Sequence, residues 1–129
     1  MILVDTNIWI DALKNPTSSV IAPLSAFVLD KQACMNGIIR AELLSGARSE
    51  SEYRFLEGRL VSVPVLAAPE TLWDDVAWAR FRLARLGFQE GLMDIAIACY
   101  ARHHHAPLWT SDKQFTPIHK VIPFKRFYP

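Results

Sequence analysis

Short apolar runs alternate with longer stretches of helical periodicity along the whole chain. Met1-Ile2-Leu3-Val4 reads as a buried central strand that ends at Asp5, and Thr6 to Leu13 as a short helix closed by the turn signal Lys14-Asn15-Pro16. Thr17-Ser18-Ser19 opens a second helix that runs to about Gln32, with Ile21, Leu24, Phe27, Val28 and Leu29 apolar and Pro23 tolerated in its first turn. Ala33-Cys34-Met35 is the second strand. Gly37 to Ala47 is a helix whose buried stripe is Ile38, Ile39, Leu43 and Leu44, with Glu42 directed inward or along the core edge.

Ser49 to Leu60 predicts a charged helix with Tyr53 and Phe55 or Leu56 inward, capped after Glu57 by Gly58. Val61 to Val65 is a third strand, and Pro64 marks it as an edge. Pro69 to Leu86 is amphipathic, with Leu72, Trp73, Val76, Trp78, Phe81 and Leu83 towards the core, Arg80, Arg82 and Arg85 on other faces, and Gly87 as the stop. Gly91 to His104 is the most apolar helix, and its spacing sets Asp94 on one stripe with Ala98 and Ala101. Pro107 to Thr110 is a fourth strand, and Val121, Ile122 and Phe124 form a short last one at an edge. Strands that alternate with helices specify an α/β fold with a parallel sheet of four to five strands and helices on both faces.

Composition narrows the class. A chain of 129 residues, 51% hydrophobic and 21% charged, is expected to form one globular domain over residues 1–129. No segment is long and apolar enough to span a bilayer, and the chain opens on its first strand with no secretory signal, so a cytoplasmic location is expected. Cys34 and Cys99 lie in apolar segments without metal-type spacing and are expected to be small buried thiols. His103, His104 and His105 cannot converge on one ion as consecutive helical residues; helix-end carbonyls are their expected partners.

Four carboxylates then stand out. Asp5 and Asp112 follow strands, while Glu42 and Asp94 sit on inward faces of helices that follow strands, so a parallel sheet could gather all four at one rim. Asp5 alone could equally be a helix cap. Clustered together, the four repel one another and call for protons or metal ions, and an oxygen-only set suits Mg²⁺ or Mn²⁺ rather than zinc. Metal ions would supply a hydroxide-like nucleophile and charge stabilisation for phosphodiester hydrolysis. Setting four of the 13 acidic residues aside leaves nine against 14 lysines and arginines, a balance of +5 suited to a polyanion. Lys113 is a candidate phosphate contact.

The runs Val4-Asp5-Thr6-Asn7-Ile8-Trp9-Ile10, Ile39-Arg40-Ala41-Glu42-Leu43, Asp94-Ile95-Ala96-Ile97-Ala98 and Thr110-Ser111-Asp112-Lys113-Gln114-Phe115 resemble, in order, the four motifs of PIN-domain ribonucleases, and among them the VapC toxins of toxin–antitoxin pairs. The resemblance implies a PIN-like α/β/α sandwich, Mg²⁺-dependent RNA cleavage, a homodimer and a small antitoxin whose tail blocks the site. It assigns Asp5, Glu42, Asp94 and Asp112 to the metal, and Thr6, Asn7 and Thr110 to orienting carboxylates or water. Gln114 departs from the acidic residue many relatives carry there, which bears on a second metal position. Two other classes fit the size: a PIN nuclease for RNA processing or structured DNA, and a phosphoacceptor receiver domain. The receiver would need an aspartate closing a middle strand, and Val61 to Val65 has none.

Overall fold

The computed structural model describes residues 1–129. Four strands form its parallel sheet: β1 (Ile2–Val4), β2 (Ala33–Asn36), β3 (Val65–Leu66) and β4 (Leu108–Trp109), in the order β3-β2-β1-β4. Seven helices accompany them: α1 (Thr6–Lys14), α2 (Ile21–Leu29), α3 (Gly37–Ser45), α4 (Glu50–Leu60), α5 (Leu72–Arg85), α6 (Leu92–His103) and α7 (Phe115–Ile118). From β1 the chain steps outward to β2 and β3, then returns past its start to β4. Right-handed crossovers in opposite directions place α1 to α4 on one face and α5 to α7 on the other. The reversal falls between β1 and β4, and the carboxyl ends of those two strands bound the crevice where such sheets take ligands.

Both central strands are apolar because both of their faces are covered. Leu3, Val4, Ala33, Cys34 and Met35 are buried, as are Ile95 to Ala101 in α6. The cysteines are free and buried, and burial pushes both thiols up to about 11. Helix ends follow local chemistry. Asn36 caps α3 by accepting from the Ile39 amide at 2.9 Å, and Ser49 caps α4 by accepting from Glu52 at 3.1 Å. Gly87, at φ 90°, ends α5 in a Schellman motif in which Phe88 N–H donates to the Leu83 carbonyl and Gly87 N–H to that of Ala84.

Several expectations are corrected. The second helix covers only Ile21–Leu29, since Thr17 to Val20 form turns, and Leu29 is exposed. Gly58 does not stop α4, which continues to Leu60; Leu56 rather than Phe55 faces inward. The third strand is not Val61 to Val65 but Val65–Leu66, at the sheet edge. Pro64 contributes an acceptor alone, its carbonyl taking the Met35 N–H at 3.0 Å. Val121, Ile122 and Phe124 are core residues in a turn, not a strand; the tail meets β4 only later, through a single parallel bridge between Leu108 and Arg126. Trp73, Trp78 and Phe81 are exposed, because at about 100° per residue they cannot share the stripe of Leu72, Val76 and Leu83. Among the three histidines, His104 reaches the Ala67 carbonyl after β3 at 2.7 Å instead of its own helix end.

Candidate active site

The rim at the reversal of the sheet is assembled around Asp5, the residue that leaves β1 and enters α1. Only 6% of it is exposed. One carboxylate oxygen accepts from the Thr6 amide at 2.8 Å, so the capping role is real, and the other accepts from the Thr110 hydroxyl at 2.7 Å. Capping and site chemistry are therefore not alternatives here. The Thr110 hydroxyl also accepts from the Asp112 amide at 3.0 Å, and Asp112 in turn accepts from the Gln114 amide at 2.9 Å. One hydroxyl thus ties the end of β1 to the loop after β4 and fixes both aspartates. Thr6 does the same towards α3, where its hydroxyl donates to Glu42 at 2.9 Å.

Glu42 is exposed on α3 rather than directed into the core. Asp94, in the first turn of α6, is half-buried and has no hydrogen-bond partner among side chains or backbone. Its carboxyl is held up to about 6, first by burial and then by the charges of Asp112, Asp5, Glu42 and Glu90. Asp5 is also raised, chiefly by burial and further by Glu42 and Asp112, while the bonds from Thr110 and Thr6 pull it down. All four predicted carboxylates therefore sit within electrostatic reach of one another. None has a cation: the ion pairs of the protein join Arg54 to Glu50 and Glu57, and Arg102 to Asp75.

The sequence matches the PIN domain family over residues 2–120. The chain belongs to the PIN-domain family. PIN domains are nucleases, and they generally use divalent metal ions. FitAcB from Neisseria gonorrhoeae shares this PIN fold at a TM-score of 0.74 and 23% identity, over 100% of this chain and 98% of that one. VapBC2 from Rickettsia felis, bound to a DNA fragment from its promoter, superposes at a TM-score of 0.77 and 23% identity, over 99% and 98% of the two chains. FitAB bound to the IR36 DNA fragment gives 0.75 at 23% identity, covering 98% and 94%. No curated protein matches the sequence. These neighbours agree with the VapC-like resemblance of the motifs.

The PIN rim can be tested for fitness to a cation. Its donors are hard oxygens without a paired base, and the side-chain oxygen of Asn7 beside Asp5 is buried with no hydrogen-bond partner, an acceptor left for a water or an ion to satisfy. No three side chains are drawn closely enough together to grip an ion as they stand. Asp5, Asp112 and Glu42 are already oriented by hydrogen bonds, whereas unbonded Asp94 is free to rotate towards one. Lys113 is exposed next to Asp112 and forms no ion pair. Two further polar residues lie at this rim, Asn36 and Glu90. Asn36 ends β2 as Asp5 ends β1, fully buried with its amide nitrogen unpartnered, and the signal was the same one: a polar residue closing an apolar strand. Glu90 lies in a loop, where no periodicity orients it, and so carries no sequence signal.

The bridging hydroxyl gives a direct structural test. Thr110→Val leaves a buried carboxylate oxygen of Asp5 and the Asp112 amide without their partner, and is expected to cost about 2 kcal/mol. Urea unfolding should show a lower midpoint at unchanged slope; an unchanged midpoint would mean the hydroxyl does not tie the two strand ends together.

Proposed function

We propose that the protein is a divalent-metal-dependent endoribonuclease, the toxin of a toxin–antitoxin pair. In this proposal a single nuclease domain of residues 1–129 works as a homodimer in the cytoplasm and is held in check by a small antitoxin protein. The observation that carries it is the set of four acidic side chains, brought to one rim by four separate elements and left without a basic partner. Asp5, Glu42, Asp94 and Asp112 hold Mg²⁺, with Mn²⁺ an acceptable substitute. Bound metal supplies a hydroxide-like nucleophile and neutralises charge on the phosphoryl oxygens. Thr6 and Thr110 hold their carboxylates in orientation, Asn7 offers its free oxygen to the ion or its water, and Lys113 meets substrate phosphate.

Support for a protein partner comes from neighbours that are two-protein complexes: VapBC2 with its promoter DNA and FitAB with its DNA fragment. An unpaired acidic rim is complementary to an arginine fork from such a partner. Purified protein free of any partner should cleave RNA with Mg²⁺ or Mn²⁺, stop on addition of EDTA, and resume with excess Mg²⁺. Cleavage that survives chelation would overturn the metal mechanism. Cleavage of structured DNA in preference to RNA, or harmless expression with no small adjacent gene, would favour a processing nuclease without a toxin role.

A further inference from the structure

Positive charge collects in the last part of the chain. Residues 95–129 hold five of the 14 lysines and arginines, all four histidines and, of the 13 acidic residues, Asp112 alone. Lys113 follows Asp112 at the rim, Lys120 follows α7, and Lys125 and Arg126 lie in the tail; the three lysines are exposed. At the other end of α6 from Asp94, Arg102, His105 and Lys125 surround a hollow of about 330 Å³, whose remaining walls are Ala101, Pro123 and Phe124. About 12 Å of helix separates Asp94 from Arg102, so hollow and rim are distinct places. The parts of the hollow are fixed. The Lys125 carbonyl accepts from the Leu108 amide at 2.8 Å, and the Phe127 amide donates to the Leu108 carbonyl at 2.8 Å, which pins the tail to β4. His105 stands at φ 52°, in the left-handed region where a helix usually ends on glycine, and the Ala106 amide closes that end by donating to the Ala101 carbonyl at 3.0 Å. An imidazole is thus carried at a strained position. Arg102 meets Asp75 at 3.7 Å, a long pair between partly exposed groups, and neither His105 nor Lys125 forms an ion pair. The carbonyls that end α6 account for Arg102 in its last turn, but not for Lys125, which arrives from another segment.

We propose that this hollow is a second RNA-binding site, which holds the sugar–phosphate backbone of a single strand away from the bond being cut. It rests on the nuclease reading above and gives that substrate a second anchor. The Arg102 guanidinium and the Lys125 ammonium supply charge and donors for phosphate oxygens, His105 supplies a further donor, and Pro123 and Phe124 present an apolar wall to a ribose. RNA is favoured over other polyanions because the same basic segment begins at Lys113 beside the rim and continues through Lys120 to the tail, so one strand can meet both places. The need is electrostatic. Four carboxylates without a cation repel phosphate, and a basic anchor outside their reach offsets that repulsion while the strand is being captured.

Fluorescence anisotropy of a labelled single-stranded RNA of about 20 nucleotides, with EDTA present so that it is not cut, tests the assignment on the full chain; thermal melts are the control for folding. Arg102→Gln combined with Lys125→Gln should weaken binding roughly tenfold or more near 0.1 M salt. The slope of log Kd against log salt should fall by about 1.4, since each phosphate contact to a single strand contributes about 0.7. His105→Gly should weaken binding about threefold while raising the melting temperature, because glycine relieves the left-handed backbone; a loss of binding there cannot be a loss of fold. Arg59→Gln on α4, across the sheet, removes a base far from the hollow and should leave affinity within about twofold. Wild-type affinity in the hollow variants, or an equal loss in Arg59→Gln, would overturn the site and leave the nuclease reading standing. Failure of the wild type to bind RNA in EDTA would also overturn it, and EDTA-reversible cleavage would then decide the nuclease reading separately. Capture of polyglutamate instead of RNA would overturn it in favour of an acidic protein.

Discussion

Protein carrying Asp5→Asn is expected to lose RNA cleavage by on the order of 10³-fold while remaining folded. The metal contribution to such a reaction is several kcal/mol, and each 1.4 kcal/mol is a factor of ten in rate. Asn replaces one charged oxygen by an amide, which removes the carboxylate best fixed towards the rim. The fold survives for local reasons: Asn caps a helix as well as Asp does, so the 2.8 Å bond from the Thr6 amide is kept. The Thr110 hydroxyl must turn, since its present acceptor becomes a donor. A neutral side chain also escapes the burial that holds the Asp5 carboxyl above its ordinary value. Single-turnover cleavage at saturating Mg²⁺, beside a melting curve, separates the two effects. Near-normal cleavage would return Asp5 to a capping role alone.

Asp94→Asn is expected to raise the stability of the metal-free protein. The carboxyl of Asp94 is held up to about 6 against 3.8 when unperturbed, so without metal the folded state takes up a proton more readily than the unfolded chain. Its charge therefore destabilises the fold above about pH 6, and the penalty fades as pH falls towards 4. The half-buried group is screened by water, which reduces the effect at pH 7.5 to about 1 kcal/mol. With EDTA the variant should melt higher than wild type at pH 7.5, by roughly 3–5 °C. The gap should fall to about half by pH 5 and close near pH 4. Added Mg²⁺ should stabilise wild type more than the variant, because the variant lacks a ligand. A variant that melts lower with EDTA and gains as much from Mg²⁺ would remove Asp94 from the shared site.

How far the sequence reveals this protein depends on what each residue must satisfy. Asp5, Glu42, Asp94 and Asp112 could be found because a carboxylate beside an apolar run is costly, and the cost marks the position. Strands β1 and β2 were equally plain, being buried on both faces. Short β3 is hard to place from sequence because Val61 and Val63 look like a strand, while Val61 caps the end of α4 and Val63 packs into the core. Trp73, Trp78 and Phe81 look like core residues because they are large and apolar. Their angular positions contradict that, and periodicity outweighs size. Local spacing sets Glu42 inward or along the core edge; its partner, the Thr6 hydroxyl, lies on another helix that no local spacing reveals.

The bond between Thr110 and Asp5 spans 105 positions of sequence. β4 and the loop after it leave the ribosome long after Asp5. A growing polypeptide thus holds its first carboxylate long before the hydroxyl that orients it and the aspartate that completes the rim. Until β4 docks beside β1, the reversal in the sheet does not exist and there is no crevice to enter. A chain that stops short of Thr110 therefore has no finished rim.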